Sequence, residues 1–393
     1  FFVRPMPKRT KSDRPAADDT ETKVAKIEEG GDVKSLPKRK LALLIGFSGI
    51  GYQGMQINPG ANSIELHLQK ALFAAGAIDP RNMERLQKIA WMRCARTDKG
   101  VHAVGQIVSA KLMMDREVLD KANANLPDDI RIFDWVRVTG SFDSKRNCDA
   151  RTYEYTLRTE VLRPSKKHPK YDERDAWTFD EEEEQKFRKI LRKYSGTHKY
   201  HNFTKGGTPT TASCTRYIKE ITLSSPFTHE GMEFVRVTLK GQSFILHQIR
   251  KMIGAAVFIF RDGAPESALD DFMSDKQIIL PMVPGLGLTL LKCHFENYQR
   301  TRGKDREPLT FENCEEEVDK FRKSVIYEKI FQKEKEEDVT MNWLRNLVEE
   351  NEFDIDYENC VSTCNQSKSN QNSADKEVAD TEVKEAPNTE TTS

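Results

Sequence analysis

The run Leu41-Ala42-Leu43-Leu44-Ile45-Gly46-Phe47 contains no polar side chain and is followed, after Ser48, by more glycines. A segment this short and this uniformly apolar predicts a buried strand. A buried strand in turn requires a sheet with other layers packed on it.

The segments around this strand supply those layers. Asn62 or Ser63 is placed to cap a helix whose apolar face is Ile64, Leu68, Ala71, Leu72 and Ala75. Residues 107–112 and 151–158 read as further strands, and residues 164–175 as a polar loop between two lobes. A helix with Phe187, Ile190, Leu191 and Tyr194 on one face follows, then strands at 217–223 and 233–239. Residues 244–260 predict a helix with Ile245, Ile249, Met252, Ile253, Ala256 and Phe260 inward, stopped by Gly263. Helices and strands mix without strict alternation, which predicts an α+β fold.

The charge pattern divides the chain. Formal net charge is zero, but residues 38–300 carry about +10 and residues 301–393 about −11. A basic body with an acidic tail suits a polyanion binder, and equally an ordinary enzyme with a solubilising tail. Residues 1–37, polar and rich in proline, read as a disordered segment. At their boundary lies Pro37-Lys38-Arg39-Lys40, which resembles a nuclear-import signal. Residues 38–165 and 166–300 read as two catalytic lobes, 301–360 as an acidic helical extension and 361–393 as a disordered tail. In the extension, Phe321, Val325, Trp343, Leu344, Leu347 and Val348 recur at helical spacing. No stretch has the length and apolarity of a membrane span, and seven scattered cysteines do not describe a disulfide scaffold.

Four segments carry chemistry. Residues 46–54 form a glycine-rich turn after a strand, but fit neither the dinucleotide nor the Walker spacing. A tight turn that admits another loop is the better reading. In Arg93-Cys94-Ala95-Arg96-Thr97-Asp98-Lys99-Gly100-Val101-His102, cations surround one carboxylate. They could hold Asp98 ionised as nucleophile or base, and could attract phosphates; a solvated loop with a salt bridge is the alternative. Tyr153 and Tyr155 share one strand face, either to stack on a base or accept a proton, or simply as core. His247, Arg250, Lys251 and Gly254 form a polar or small stripe along a helix, which needs an anionic partner or solvent. Metal ligation is not predicted: His198 and His201 sit in a loop, Cys360 and Cys364 in the tail, and no second ligand pair accompanies either.

Six motifs in order resemble the tRNA pseudouridine synthase A family. They are Tyr52-Gln53-Gly54-Met55-Gln56, Arg96-Thr97-Asp98-Lys99-Gly100-Val101-His102, Asn123 to Ile130 (N-x-x-L-P-x-D-I), Ala150-Arg151-Thr152-Tyr153-Glu154-Tyr155, Phe244 to Gly254 (F-x-x-H-x-I-R-x-x-I-G) and Gly285-Leu286-Gly287-Leu288. The wording resembles the eukaryotic tRNA pseudouridine synthase 1 branch, although Phe47-Ser48-Gly49 and Met55 depart from the bacterial pattern. The resemblance implies a two-lobed fold of mixed and antiparallel sheets flanked by helices, with a basic cleft between the lobes. It implies isomerisation of uridine to pseudouridine without any cofactor. It implies tRNA as partner, with mRNA and other structured RNA as further ones, no membrane and no nucleotide cofactor, in the nucleus with the mitochondrion as a second compartment. By the same resemblance Asp98, Tyr153 and Arg250 are catalytic. Arg96, Lys99, His102, Tyr153, His247, Lys251 and Leu286 contact substrate. Arg250 is expected to pair with Asp98, since a guanidinium on that stripe needs an anion.

Overall fold

The computed structural model describes residues 36–83 and 85–363. Strand β1 (Arg39–Phe47) leads to helix α1 (Ile64–Ala74), the short β2 (Met92–Arg93) and the long β3 (His102–Leu112). Helix α2 (Arg116–Ala124), β4 (Ile130–Arg137) and β5 (Ala150–Arg158) follow. Then come α3 (Glu181–Arg192), β6 (Gly196–Lys199), β7 (Thr215–Leu223), β8 (Phe227–His229) and β9 (Met232–Gly241). Helices α4 (Gln248–Asp262) and α5 (Ala268–Phe272), strand β10 (Leu288–His294) and α6 (Glu296–Thr301) come next. The remainder contains α7 (Glu315–Phe321), α8 (Glu328–Glu337), α9 (Val339–Arg345) and a hairpin of β11 (Asp354–Asp356) and β12 (Val361–Thr363).

The fold is α+β, built on one ten-stranded mixed sheet in the order β4-β1-β3-β10-β5-β9-β7-β6, with β2 on β3 and β8 on β9. Every pairing in this sheet is antiparallel except β10 with β3. β10, last of these strands in the chain, enters between β3 and β5. Chain order and spatial order therefore interleave: β5 lies before the expected boundary at 165 yet pairs with β9 and β10 beyond it.

Strand β1 is buried at every position after Arg39, as its apolar run requires. Part of its cover comes from the acidic extension. The Phe321 ring of α7 meets Phe133 of β4 edge-on at 5.5 Å and stands beside Gly46, an arrangement worth about 1 kcal/mol beyond the area it buries. Tyr327 donates to the buried Glu154 Oε1 at 2.6 Å, and Phe331 packs 5.0 Å from Phe234. Of the expected apolar positions, Phe321 and Leu344 are buried, while Val348 is exposed; Ile326, Tyr327, Ile330 and Phe331 carry the rest of the contact. Val361–Thr363, expected to open the unfolded tail, forms β12 instead, and Ser362 Oγ accepts from the Ile279 N–H at 2.7 Å. The rest of that tail, Cys364 included, lies outside the described residues, as do residues 1–35.

Three local expectations change. Lys40 of the basic cluster belongs to β1, and its buried amine donates to the Ala90 carbonyl at 2.7 Å, so it is not presented to solvent. Ser63 is the N-cap of α1, but its hydroxyl makes no capping bond. The first amides of that helix donate instead to Gly54 and Met55 carbonyls, at 3.2 and 3.0 Å. Helix α4 starts at Gln248, four residues later than the apolar periodicity suggests, because His247 adopts a left-handed conformation (φ 63°) that ends any continuous helix there. Gly263 terminates it as expected, at φ 65°. No helix among the described residues is long and apolar enough to cross a membrane.

Candidate active site

Asp98 stands on the loop between β2 and β3, and that loop is clasped by backbone. A Cβ on Gly49 would lie 2.6 Å from both Gly100 C and Val101 N, and one on Gly54 would lie 2.8 Å from the Thr97 carbonyl oxygen. Only glycine permits such approach, and Gly54 also needs its positive φ of 97°. The glycine-rich turn thus holds the Asp98 loop rather than a phosphate. From the other side a Cβ on Gly285 would sit 3.0 Å from the Lys99 carbonyl oxygen.

The root of the loop is fixed by side chains that sequence reasoning missed. The Gln106 amide accepts from Ala95 N–H at 3.1 Å and donates to Ala95 O at 2.7 Å. Glu65 is fully buried and accepts from Trp91 Nε1 at 2.7 Å, from the Ile57 N–H at 3.1 Å and from Arg93. A carboxylate within the apolar opening Ser63-Ile64-Glu65 of α1 was the available signal, since buried charge needs partners. What this construction presents is one carboxylate, its side chain 29% exposed, with Arg96 and Lys99 exposed on the same loop.

The facing wall is the segment that enters α4. His247 Nε2 lies 3.8 Å from Asp98 Oδ2. The left-handed backbone at His247 carries a steric cost of about 1–2 kcal/mol, the kind of strain that concentrates at functional sites. Arg250, expected to pair with Asp98, donates from its Nε to the Val283 carbonyl at 2.8 Å, and its guanidinium carbon lies near Gly285. His247 is outside the helix and reaches Asp98, while Arg250 is in the first turn and is drawn to residues 283–285. Gly254 belongs to no polar stripe: it is buried where α4 presses on the Pro281 carbonyl.

Tyr153 of β5 is buried, 7% exposed, and meets the Phe244 ring edge-on at 5.3 Å. Burial pushes its phenol well above the ordinary tyrosine range, with Asp98 among the nearby charges that act in the same direction. It is therefore a neutral ring at physiological pH. Tyr155 is core, its hydroxyl donating to Pro284 O at 2.9 Å. Leu286 is half-buried in the turn before β10.

Two predicted contact residues point inward. His102 is completely buried. Its Nδ1 accepts from the Gly49 N–H at 3.2 Å, so its Nε2 donates to Leu286 O at 3.0 Å. Burial lowers its pKa to about 4 and keeps it neutral. His102 is a strut between the glycine turn and Leu286, because β3 is buried at this end. Lys251 is half-buried and donates to Asn202 O at 3.2 Å, and desolvation lowers its pKa. His198 and His201 go separately to the carbonyls of Ser195 and Lys276. The sulfurs of Cys94, Cys148 and Cys293 do meet, all within 4.8 Å of one another. Their separation along the chain hid this grouping from any spacing rule.

A part-exposed carboxylate on a braced loop, with exposed cations on the same loop and a buried tyrosine near enough to feel its charge, is the arrangement the fold builds here. The comparisons give that arrangement a family. A family model described as tRNA pseudouridine synthase matches residues 190–296. The chain is 42% identical to Pseudouridylate synthase 1 homolog of Mus musculus, over 84% of this chain and 79% of that protein. It is 41% identical to the protein of that name in Homo sapiens, over 87% and 82%. With tRNA pseudouridine synthase 1 of Candida glabrata it shares 35% identity over 77% and 69%. This chain belongs to the tRNA pseudouridine synthase family.

Proposed function

We propose that this protein isomerises uridine to pseudouridine in tRNA, with Asp98 as the essential carboxylate. The observation that carries the reading is the site itself: Asp98, part-exposed on a glycine-clasped loop with His247 3.8 Å away, in a chain of this family. The N1–C1′ bond of the nucleoside breaks, the uracil turns, and C5 bonds to C1′ with loss of its proton. Asp98 acts as nucleophile or proton acceptor in that sequence. Tyr153 and Leu286 bracket the uracil. The neutral phenol favours a stacking role for Tyr153 over proton removal, which would need the phenolate. A base inside a stem cannot reach the carboxylate, so the nucleotide must flip, at a cost of a few kcal/mol (about 2–4). Lys99, exposed beside Asp98, offsets part of that cost through phosphate contacts, and Arg96 fills the space the base leaves. Such contacts carry little sequence information, which extends the substrate class to other structured RNA, mRNA included.

The test is tritium release from tRNA carrying 5-tritiated uridine, with the purified protein and no added cofactor. Release to a stoichiometry of whole uridines per tRNA is expected. RNA binding without release would reduce the protein to an RNA-binding module. A site-resolved pseudouridine map with and without the protein then separates tRNA from other targets.

A further inference from the structure

Three thiols from distant parts of the chain converge at the root of the Asp98 loop. Cys94 follows β2, Cys148 precedes β5, and Cys293 lies on β10; none is in a disulfide. Their sulfurs are all within 4.8 Å of one another. Cys94 and Cys293 are buried, whereas Cys148 is partly open to solvent. The Arg151 guanidinium lies alongside and donates to the Cys94 carbonyl at 2.9 Å.

We propose that Cys148 is a site of reversible oxidation by hydroperoxides, and that Cys94 resolves it into a disulfide that disables the Asp98 loop. An accessible thiol beside a cation, with further thiols poised next to it, has the arrangement of a redox-sensitive cysteine. The neighbouring thiols and Arg151 also favour the Cys148 thiolate. In the first step the Cys148 sulfur attacks hydrogen peroxide. The S–O bond forms, the O–O bond breaks, and the departing hydroxide leaves as water with the thiol proton; sulfur is oxidised to sulfenic acid and peroxide reduced. In the second step the Cys94 sulfur attacks that of Cys148. The S–S bond forms, the S–O bond breaks, and a second water carries away the Cys94 proton.

Cys94 is the resolving partner because it is the less firmly held of the two buried thiols. Cys293 is held within β10, opposite Arg151 of β5 in the sheet. Cys94 follows a two-residue strand and opens the loop. Closing the sulfurs to about 2.05 Å would pull Cys94 from its bonds to Ile107 O and Arg151, and with it the neighbouring Ala95 clamp.

The test treats the full chain with hydrogen peroxide. The linkage is read by non-reducing peptide mass spectrometry, and turnover by tritium release. A Cys94–Cys148 peptide is expected, with at least a tenfold loss of turnover that dithiothreitol restores to within twofold. Cys148→Ser should resist the loss. Cys94→Ser should abolish the linked peptide and leave a sulfenic acid on Cys148 that dimedone traps, which keeps the proposal testable if the first variant folds poorly. A linkage that omits Cys148, equal inactivation of Cys148→Ser, or a metal ion bound by the three sulfurs in the isolated protein would overturn it. The activity readout rests on the proposed function; the linked peptide does not, so the two readings fail separately.

Discussion

The two walls of the site are built on opposite principles. The Asp98 wall is held from outside at every turn: Gly49, Gly54 and Gly285 admit backbone against backbone, Gln106 clamps Ala95, and Glu65 anchors Arg93. The His247 wall turns on a residue in a costly left-handed conformation, with Gln248 Oε1 accepting from the Ile245 N–H at 3.0 Å across the junction. Placing a reacting carboxylate demands rigidity, because catalysis depends on sub-ångström orientation. On the proposed function the facing wall admits a flipped nucleotide, and a strained junction is easier to displace than a clamped one.

The sharpest test of this contrast removes the carboxylate itself. Asp98→Asn should lower single-turnover pseudouridine formation by at least about 1,000-fold, while tRNA affinity stays within about threefold because many cations share it. Retained turnover would remove Asp98 from the chemistry and the rigid wall from its purpose.

Gly49→Ala comes next. The added methyl would strike the backbone of Gly100 and Val101, which cannot rotate away as a side chain could. A loss of about 3 kcal/mol in urea unfolding is expected, with turnover falling more steeply than tRNA binding. A variant of unchanged stability and activity would show that the loop is not clamped here.

His102 tests the same wall through pH. Its folded-state pKa is about 4, against about 6.5 for a free histidine. The unfolded chain therefore binds the proton first as pH falls, so the stabilisation is complete above about pH 6.5 and drains away towards pH 4. Between pH 7.5 and 5 this costs about 2 kcal/mol. Urea midpoints across that range should fall less for His102→Gln than for the parent; equal slopes would contradict a neutral buried strut.

The smallest effect isolates the strained wall. His247→Gly and His247→Ala both lose the imidazole facing Asp98, but only glycine adopts φ near 63° without penalty. The glycine variant should be the more stable by about 1 kcal/mol, with both impaired in turnover. Equal thermal midpoints would mean that the backbone at His247 relaxes freely.

Much of this site is legible in the residues. Arg96-Thr97-Asp98 identifies the carboxylate and its cations, and the glycines of 46–54 announce a close backbone approach. The burial of β1 follows from its apolar run, because seven such residues have no stable alternative. The end of α4 is legible in the same way, since the left-handed stop at Gly263 depends on the residue itself.

Other decisions belong to the assembled sheet alone. The insertion of β10 between β3 and β5 brings Leu286 to the His102 strut and Cys293 to Cys94 and Cys148. No local pattern encodes that, since hydrophobic periodicity specifies a face and not a neighbour. The same holds for the partners of each charge. On the sequence His102 and Lys251 look like cations offered to a polyanion, and Arg250 like the mate of Asp98. Burial turns His102 into a neutral strut and draws Lys251 to Asn202, while Arg250 Nε is held by the Val283 carbonyl and His247 stands 3.8 Å from Asp98. The amino-acid chain determines which groups can ionise or bond; desolvation and the nearest backbone carbonyl, both products of tertiary packing, decide which of them do.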